Sequence, residues 1–119
     1  MPARTVGRIR TRAAFTELQR AGSRGSSGPV RASFCPVDAM APGVYPQVGY
    51  AIGKRCGNAV IRNTLRRRMR EAARGTAASL PRGVYLLRAE PAAATRAPAQ
   101  LSADVVQALQ RAGGRTVPS

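Results

Sequence analysis

The chain has 119 residues, enough for one domain with a small core and too few for two. Its 20 Lys and Arg stand against 5 Asp and Glu, a formal net charge of +15, which makes nucleic acid the leading partner and an anionic membrane surface the second. No apolar run approaches the roughly 20 residues of a membrane span, and the opening MPARTVGRIRTR lacks the apolar centre of a signal peptide, so a cytoplasmic protein without a membrane segment is expected.

Nineteen of the basic residues are Arg, whose planar fork grips phosphate bidentately and stacks on bases. In a reducing compartment Cys35 and Cys56 are expected as free thiols. There is no His, and two isolated Cys do not make a zinc site.

In chain order, residues 1–10 read as a basic N-terminal arm, 11–112 as a single α/β domain that binds RNA, and 113–119 as a flexible C-terminal tail. Thr11 caps a first predicted helix over Arg12 to Ala21, with Ala14, Phe15, Leu18 and Ala21 on one side and Gly22 as its stop. Ser23 to Pro29 reads as a Gly/Ser loop. Val30 to Cys35 alternates, placing Val30, Ala32 and Phe34 on one face of a strand and Arg31, Ser33 and Cys35 on the other. After a Pro/Gly loop, Gln47 to Ile52 alternates in the same way, and the two strands are expected to pair as an antiparallel hairpin.

The segment GKRCGNAVIRNTLRRRMREAAR, Gly53 to Arg74, carries the sharpest signal. On a helix from Ala59, at ~100° per residue, Ile61, Leu65, Met69, Ala72 and Ala73 form a core-facing stripe. Opposite them Asn63, Arg66, Arg67, Arg70 and Arg74 form one arc, with Arg62 and Arg68 at the stripe's edges and Glu71 the one acid. Arginines three and four apart repel, so a polyanion is the expected counterpart. Asn58 is the predicted N-cap and Gly75 the predicted stop.

Beyond it, Thr76 to Arg82 reads as a linker and the apolar run Gly83 to Arg88 as a central strand. Leu101 as hydrophobic staple, Ser102 as cap, and Val105, Val106, Leu109 and Ala112 as an apolar stripe predict a last helix.

Catalysis by the polypeptide is not expected. A protein nuclease needs a general base near neutral pH or carboxylates that hold metal. The five acids, Glu17, Asp38, Glu71, Glu90 and Asp104, are scattered without local pairing. No catalytic residue and no metal ligand is therefore assigned.

The central segment, together with Val48 to Ile52 before it, AAFTELQRAGS upstream and GVYLLRAEP downstream, resembles the protein subunit of bacterial ribonuclease P over most of residues 8–112. The resemblance implies an α/β (α+β) two-layer sandwich in the order α-β-β-β-α-β-α, similar to the second domain of a small-subunit ribosomal protein, with a left-handed βαβ crossover. A fourth strand is then missing from the reading above, and a piece of Pro42 to Gln47 is the candidate. The resemblance further implies a catalytic RNA partner that uses Mg²⁺ to cut the 5′ leader from precursor tRNA, the protein assisting.

By position, the resemblance assigns Lys54, Arg55, Asn58, Asn63, Arg67 and Arg74 to the catalytic RNA, and Phe15, Arg62, Arg66 and Arg70 to the leader. The family's Arg-Asn-Arg signature becomes Arg62-Asn63-Thr64. The second aromatic of the first helix falls at Gln19, and the expected strand tyrosine falls near Ser33 or Phe34. A ribosomal or general RNA-binding protein of the same fold and a DNA-compacting protein are the alternatives.

Overall fold

In a computed structural model, which describes residues 23–36 and 43–114, the elements run β1 (Ser23–Ser27), β2 (Val30–Pro36), β3 (Gln47–Ile52), α1 (Ala59–Thr76), β4 (Gly83–Ala89) and α2 (Pro98–Gly114). The first predicted helix, with Phe15 and Gln19, lies outside the described residues. The strands form one sheet in the order β1-β2-β4-β3. β2 is antiparallel to both neighbours, whereas β3 and β4 are parallel and joined across the sheet by α1.

Two expectations change. The fourth strand is Ser23–Ser27, not a piece of Pro42 to Gln47, and it makes a hairpin with β2 through Gly28 and Pro29. Gly28 takes a left-handed φ of 55°, which glycine adopts without steric cost. β2 and β3 are not a hairpin, because β4 lies between them. The long apolar run of β4 is what competes for that place: Tyr85, Leu86 and Leu87 are all buried, and a strand flanked on both edges leaves least of such a run to water.

Alternation sorts the sheet into two faces. Val30, Ala32 and Phe34 of β2, Tyr85 and Leu87 of β4, and Val48 and Ile52 of β3 share one core with Leu65, Met69 and Ala73 of α1 and Leu101, Val105, Ala108, Leu109 and Ala112 of α2. Both helices therefore cover the same face. Each fully buried Leu or Met contributes roughly 1.5–3 kcal/mol from apolar burial. The Phe34 and Tyr85 rings stack 4.4 Å apart, and the Tyr85 hydroxyl donates to the Pro81 carbonyl at 2.8 Å.

β1 has no side chain larger than Arg24 and no apolar one, yet α2 lies directly on it. Gly25 makes this approach possible, since a Cβ there would sit 2.5 Å from the Ala112 nitrogen. The approach is fastened by hydrogen bonds, from Ser23 Oγ to the Ala112 carbonyl at 2.7 Å and from Ser27 Oγ to Asp104 Oδ1 at 2.9 Å. Asp104 also accepts from Arg96 Nε at 2.8 Å, so this buried carboxylate is paired as burial requires.

The helix ends differ slightly from expectation. α1 passes through Gly75 to Thr76 and tightens into a 3₁₀ turn at Ala77–Ser79, because Thr76 and Ala77 are buried and packing outweighs the local cost of glycine. α2 begins at Pro98 rather than at a Ser102 cap, with proline in the first turn where no amide donor is needed.

Candidate nucleic-acid interface

The basic surface is built around α1. Asn58 closes its first turn, with Oδ1 accepting the Ile61 amide at 3.0 Å. Leu65, Met69 and Ala73 face the core, so the arc opposite them faces solvent. Asn63, Arg67, Arg70 and Arg74 are exposed, and Arg62, Arg66 and Arg68 are half-buried. The predicted stripe holds except at its N-terminal end. Ile61 is 39% exposed, since the first turn overhangs the core and Ile61 packs back onto Gly57.

Hydrogen bonds position parts of this arc. Arg62 Nε donates to the Gly57 carbonyl at 3.2 Å, fixing its stem along the start of the helix. Arg66 Nη1 donates to Asn63 Oδ1 at 3.1 Å. That bond joins a residue assigned by resemblance to the catalytic RNA with one assigned to the leader, so the two sets share one continuous surface. Thr64 turns its hydroxyl inward to the Val60 carbonyl at 3.0 Å.

Lys54 and Arg55 are exposed on a 3₁₀ turn, Lys54–Cys56, just ahead of the helix. Cys56 anchors the turn: it is buried, a free thiol, and lies 3.4 Å from the Ala89 carbonyl at the end of β4. The turn then closes through Gly57, whose φ of 141° suits glycine, and delivers the chain to Asn58. Lys54, Arg55, Asn58, Asn63, Arg66, Arg67, Arg70 and Arg74 thus follow one another along a single basic strip. Of the assigned residues, Phe15 lies outside the described part.

Two contributors do not show in the residue pattern. Tyr50 alternates like any strand residue, but its phenol lies within the field of Arg70 and Arg74. Burial pushes its pKa up to about 12 despite the opposing pull of those two cations. Val60 stands 73% exposed beside the cap, an apolar surface within the basic strip. Neither follows from periodicity, because both depend on how α1 sits over the edge strand β3.

The described carboxylates stand apart from one another. Glu71 is exposed on α1, Glu90 pairs with Arg31 at 2.9 Å, and Asp104 pairs with Arg96 at 2.8 Å. Among the described residues no three His, Cys, Asp or Glu side chains converge. No described helix is long and apolar enough to cross a membrane.

A four-stranded sheet with both described helices on one face, and an arginine-lined helix as its crossover, defines a class of small two-layer α/β protein that has been seen before. The Staphylococcus aureus ribonuclease P protein superposes with a TM-score of 0.77 at 20% identity, covering 89% of this chain and 94% of that one. The Thermotoga maritima protein gives 0.75 at 19% identity, covering 87% and 98%. A mutant of the staphylococcal protein with defective mRNA degradation activity matches equally well, with a TM-score of 0.77.

At the level of sequence, residues 4–113 match the family Ribonuclease P. The ribonuclease P protein component of Kocuria rhizophila is 37% identical over 109 residues, 91% of this chain and 93% of its relative. That of a Nocardioides species is 36% identical over 107 residues, 89% and 91% respectively. The chain belongs to the ribonuclease P protein component family.

Proposed function

We propose that the chain is the RNA-binding subunit of ribonuclease P, assisting removal of the 5′ leader from precursor tRNA while the RNA subunit carries out the cleavage. The observation that carries this reading is the one-sided arc of α1, dense in arginine and opposite a buried stripe, in a member of this family. Lys54, Arg55, Asn58, Asn63, Arg67 and Arg74 bind the catalytic RNA. Phe15, Arg62, Arg66 and Arg70 hold the leader.

The work this arrangement does is electrostatic. Two RNA segments brought together repel, and a protein surface of fixed guanidiniums releases condensed counterions from both. The Mg²⁺ requirement then falls, because fewer ions are needed merely to screen the approach. Mg²⁺ itself is held by the RNA; of the described carboxylates, Glu90 and Asp104 are already engaged by arginines. The site of action is the cytoplasm.

The test is reconstitution with the catalytic RNA and labelled precursor tRNA at low Mg²⁺. Stimulated 5′ cleavage is expected, and its absence overturns the proposal. RNA-free protein is expected to leave precursor tRNA uncut, and the same preparation should be assayed on unstructured mRNA, given the activity described for the staphylococcal protein.

A further inference from the structure

Tyr50 lies where the arginine arc of α1 passes over the edge of the sheet. β3 is an edge strand, and Tyr50 pairs in register with Leu87, which faces the helix-covered core. Residues in register share a face, so the Tyr50 ring turns toward α1 and packs against the core while staying half-buried. Arg70 and Arg74 stand one turn apart on the same side of α1, both exposed, and the charges of both act on the phenol.

Hydrogen bonding sets this phenol apart from that of Tyr85. The Tyr85 hydroxyl donates to the Pro81 carbonyl at 2.8 Å and is satisfied inside the fold. Among the described residues the Tyr50 hydroxyl has no such partner, and no buried side-chain oxygen is left unsatisfied, so this one reaches solvent. Burial of the ring keeps it protonated up to about pH 12, which makes it a donor at neutral pH. Arg70 and Arg74 form no ion pair among the described residues, whose salt bridges are Arg31–Glu90 and Arg96–Asp104. Two like charges four residues apart repel, and with a hydroxyl donor beside them they suit an anion with several acceptor oxygens.

We propose that Tyr50, Arg70 and Arg74 form one phosphate subsite, in which the Tyr50 hydroxyl donates to a non-bridging oxygen of an RNA phosphodiester that both arginines neutralise. The inference rests on the reading above for the identity of the partner. It adds a contact of another kind to the arc. Arginine stems follow a moving phosphate, whereas a phenol packed on a β-strand holds one position. Contacts to phosphate from such fixed side chains set the register of a protein on nucleic acid. The subsite also joins Arg70, assigned to the leader, with Arg74, assigned to the catalytic RNA, so it lies at the boundary between the two sets.

The test is filter binding of the catalytic RNA to the full chain, and of precursor tRNA to the holoenzyme, over about 50 to about 200 mM salt. Tyr50→Phe removes the hydroxyl and keeps the ring. It is expected to weaken binding about tenfold, the size of one hydrogen bond to a charged group. The slope of log K against log salt stays unchanged, because a neutral donor releases no counterion. Arg70→Gln and Arg74→Gln each lower that slope by about 0.7 to 0.9. Adding Tyr50→Phe to the paired arginine changes weakens binding by less than about twofold more, since the three groups act on one phosphate.

Wild-type affinity in Tyr50→Phe overturns the subsite. So does a loss that comes with a lower salt slope, which would mean that the ring only places the arginines, or a loss of full size in the double arginine background. Within these bounds, a loss seen only with leader-bearing precursor tRNA assigns the phosphate to the leader, and a loss seen with catalytic RNA alone assigns it to the RNA subunit. Wild-type protein that binds catalytic RNA through Tyr50 yet fails to stimulate cleavage counts against the ribonuclease P reading and supports the subsite. Stimulated cleavage with undiminished binding by Tyr50→Phe does the reverse.

Discussion

Asn58 Oδ1 accepts the backbone N–H of Ile61 at 3.0 Å, and with that bond the basic helix begins. The same side chain is one we propose to contact RNA, so the two roles are separable by substitution. Asn58→Ala should cost about 1 kcal/mol of stability by urea unfolding. Asn58→Asp keeps the cap and favours the helix dipole, but places a negative charge where phosphate is to come. Wild-type stability with weakened catalytic-RNA binding is the expected result, and retained binding would remove Asn58 from the interface.

The two sides of α1 should respond to different measurements. Arg66→Ala, Arg67→Ala and Arg70→Ala should each lower the salt slope of RNA binding by about 0.7 to 0.9 for every phosphate that is no longer neutralised, with little change in melting. Leu65 is buried, and Leu65→Ala should lower stability by about 2–5 kcal/mol. Similar melting losses in both classes would mean that the arginine face is packed rather than presented.

Alkaline titration tests the packing of Tyr50. Its phenol ionises near pH 10.0 when unperturbed and near pH 12 in the folded chain. The stability it contributes is therefore complete below pH 10 and lost as pH rises from 10 to 12. Tyr85, raised further by burial, adds to the same loss. Urea midpoints of Tyr50→Phe should fall less steeply through this window than those of wild type. Parallel curves would place the phenol in open solvent.

Gly25 tests the close approach of β1 to α2. Gly25→Ala drives a methyl group against the backbone at Ala108 and Ala112, and overpacking of this kind costs about 1–3 kcal/mol. Gly53→Ala, where a Cβ meets nothing within 4 Å, is the control and should melt near wild type. Equal melting of the two variants would show that α2 moves freely off the strand.

How much of this was legible in the residues differs by element, for physical reasons. The amphipathic helix at Ala59–Thr76 and its Asn58 cap are local properties: spacing sets the stripe, and an Asn before it satisfies the orphan amides. The core face of β2 and the central position of β4 also followed from alternation and from an unbroken apolar run. The strand Ser23–Ser27 did not, because SRGSS has no β-branched or aromatic residue. It becomes a strand only when β2 offers a ladder on one side and α2 a surface that glycine and serine fit.

Strand order was likewise decided in three dimensions. Nothing in β2 or β3 alone prevents a hairpin between them. The insertion of β4 follows from the need to bury Tyr85, Leu86 and Leu87. That choice also sets Arg31 across from Arg88. The sequence by itself determined that one helix is arginine-rich on one side, since side-chain direction on a helix follows from spacing. The facing of Arg31 and Arg88, the place of Tyr50 beside Arg70 and Arg74, and the anchoring of Lys54 and Arg55 by Cys56 came only with tertiary structure, because each joins residues through register or packing across distant parts of the chain.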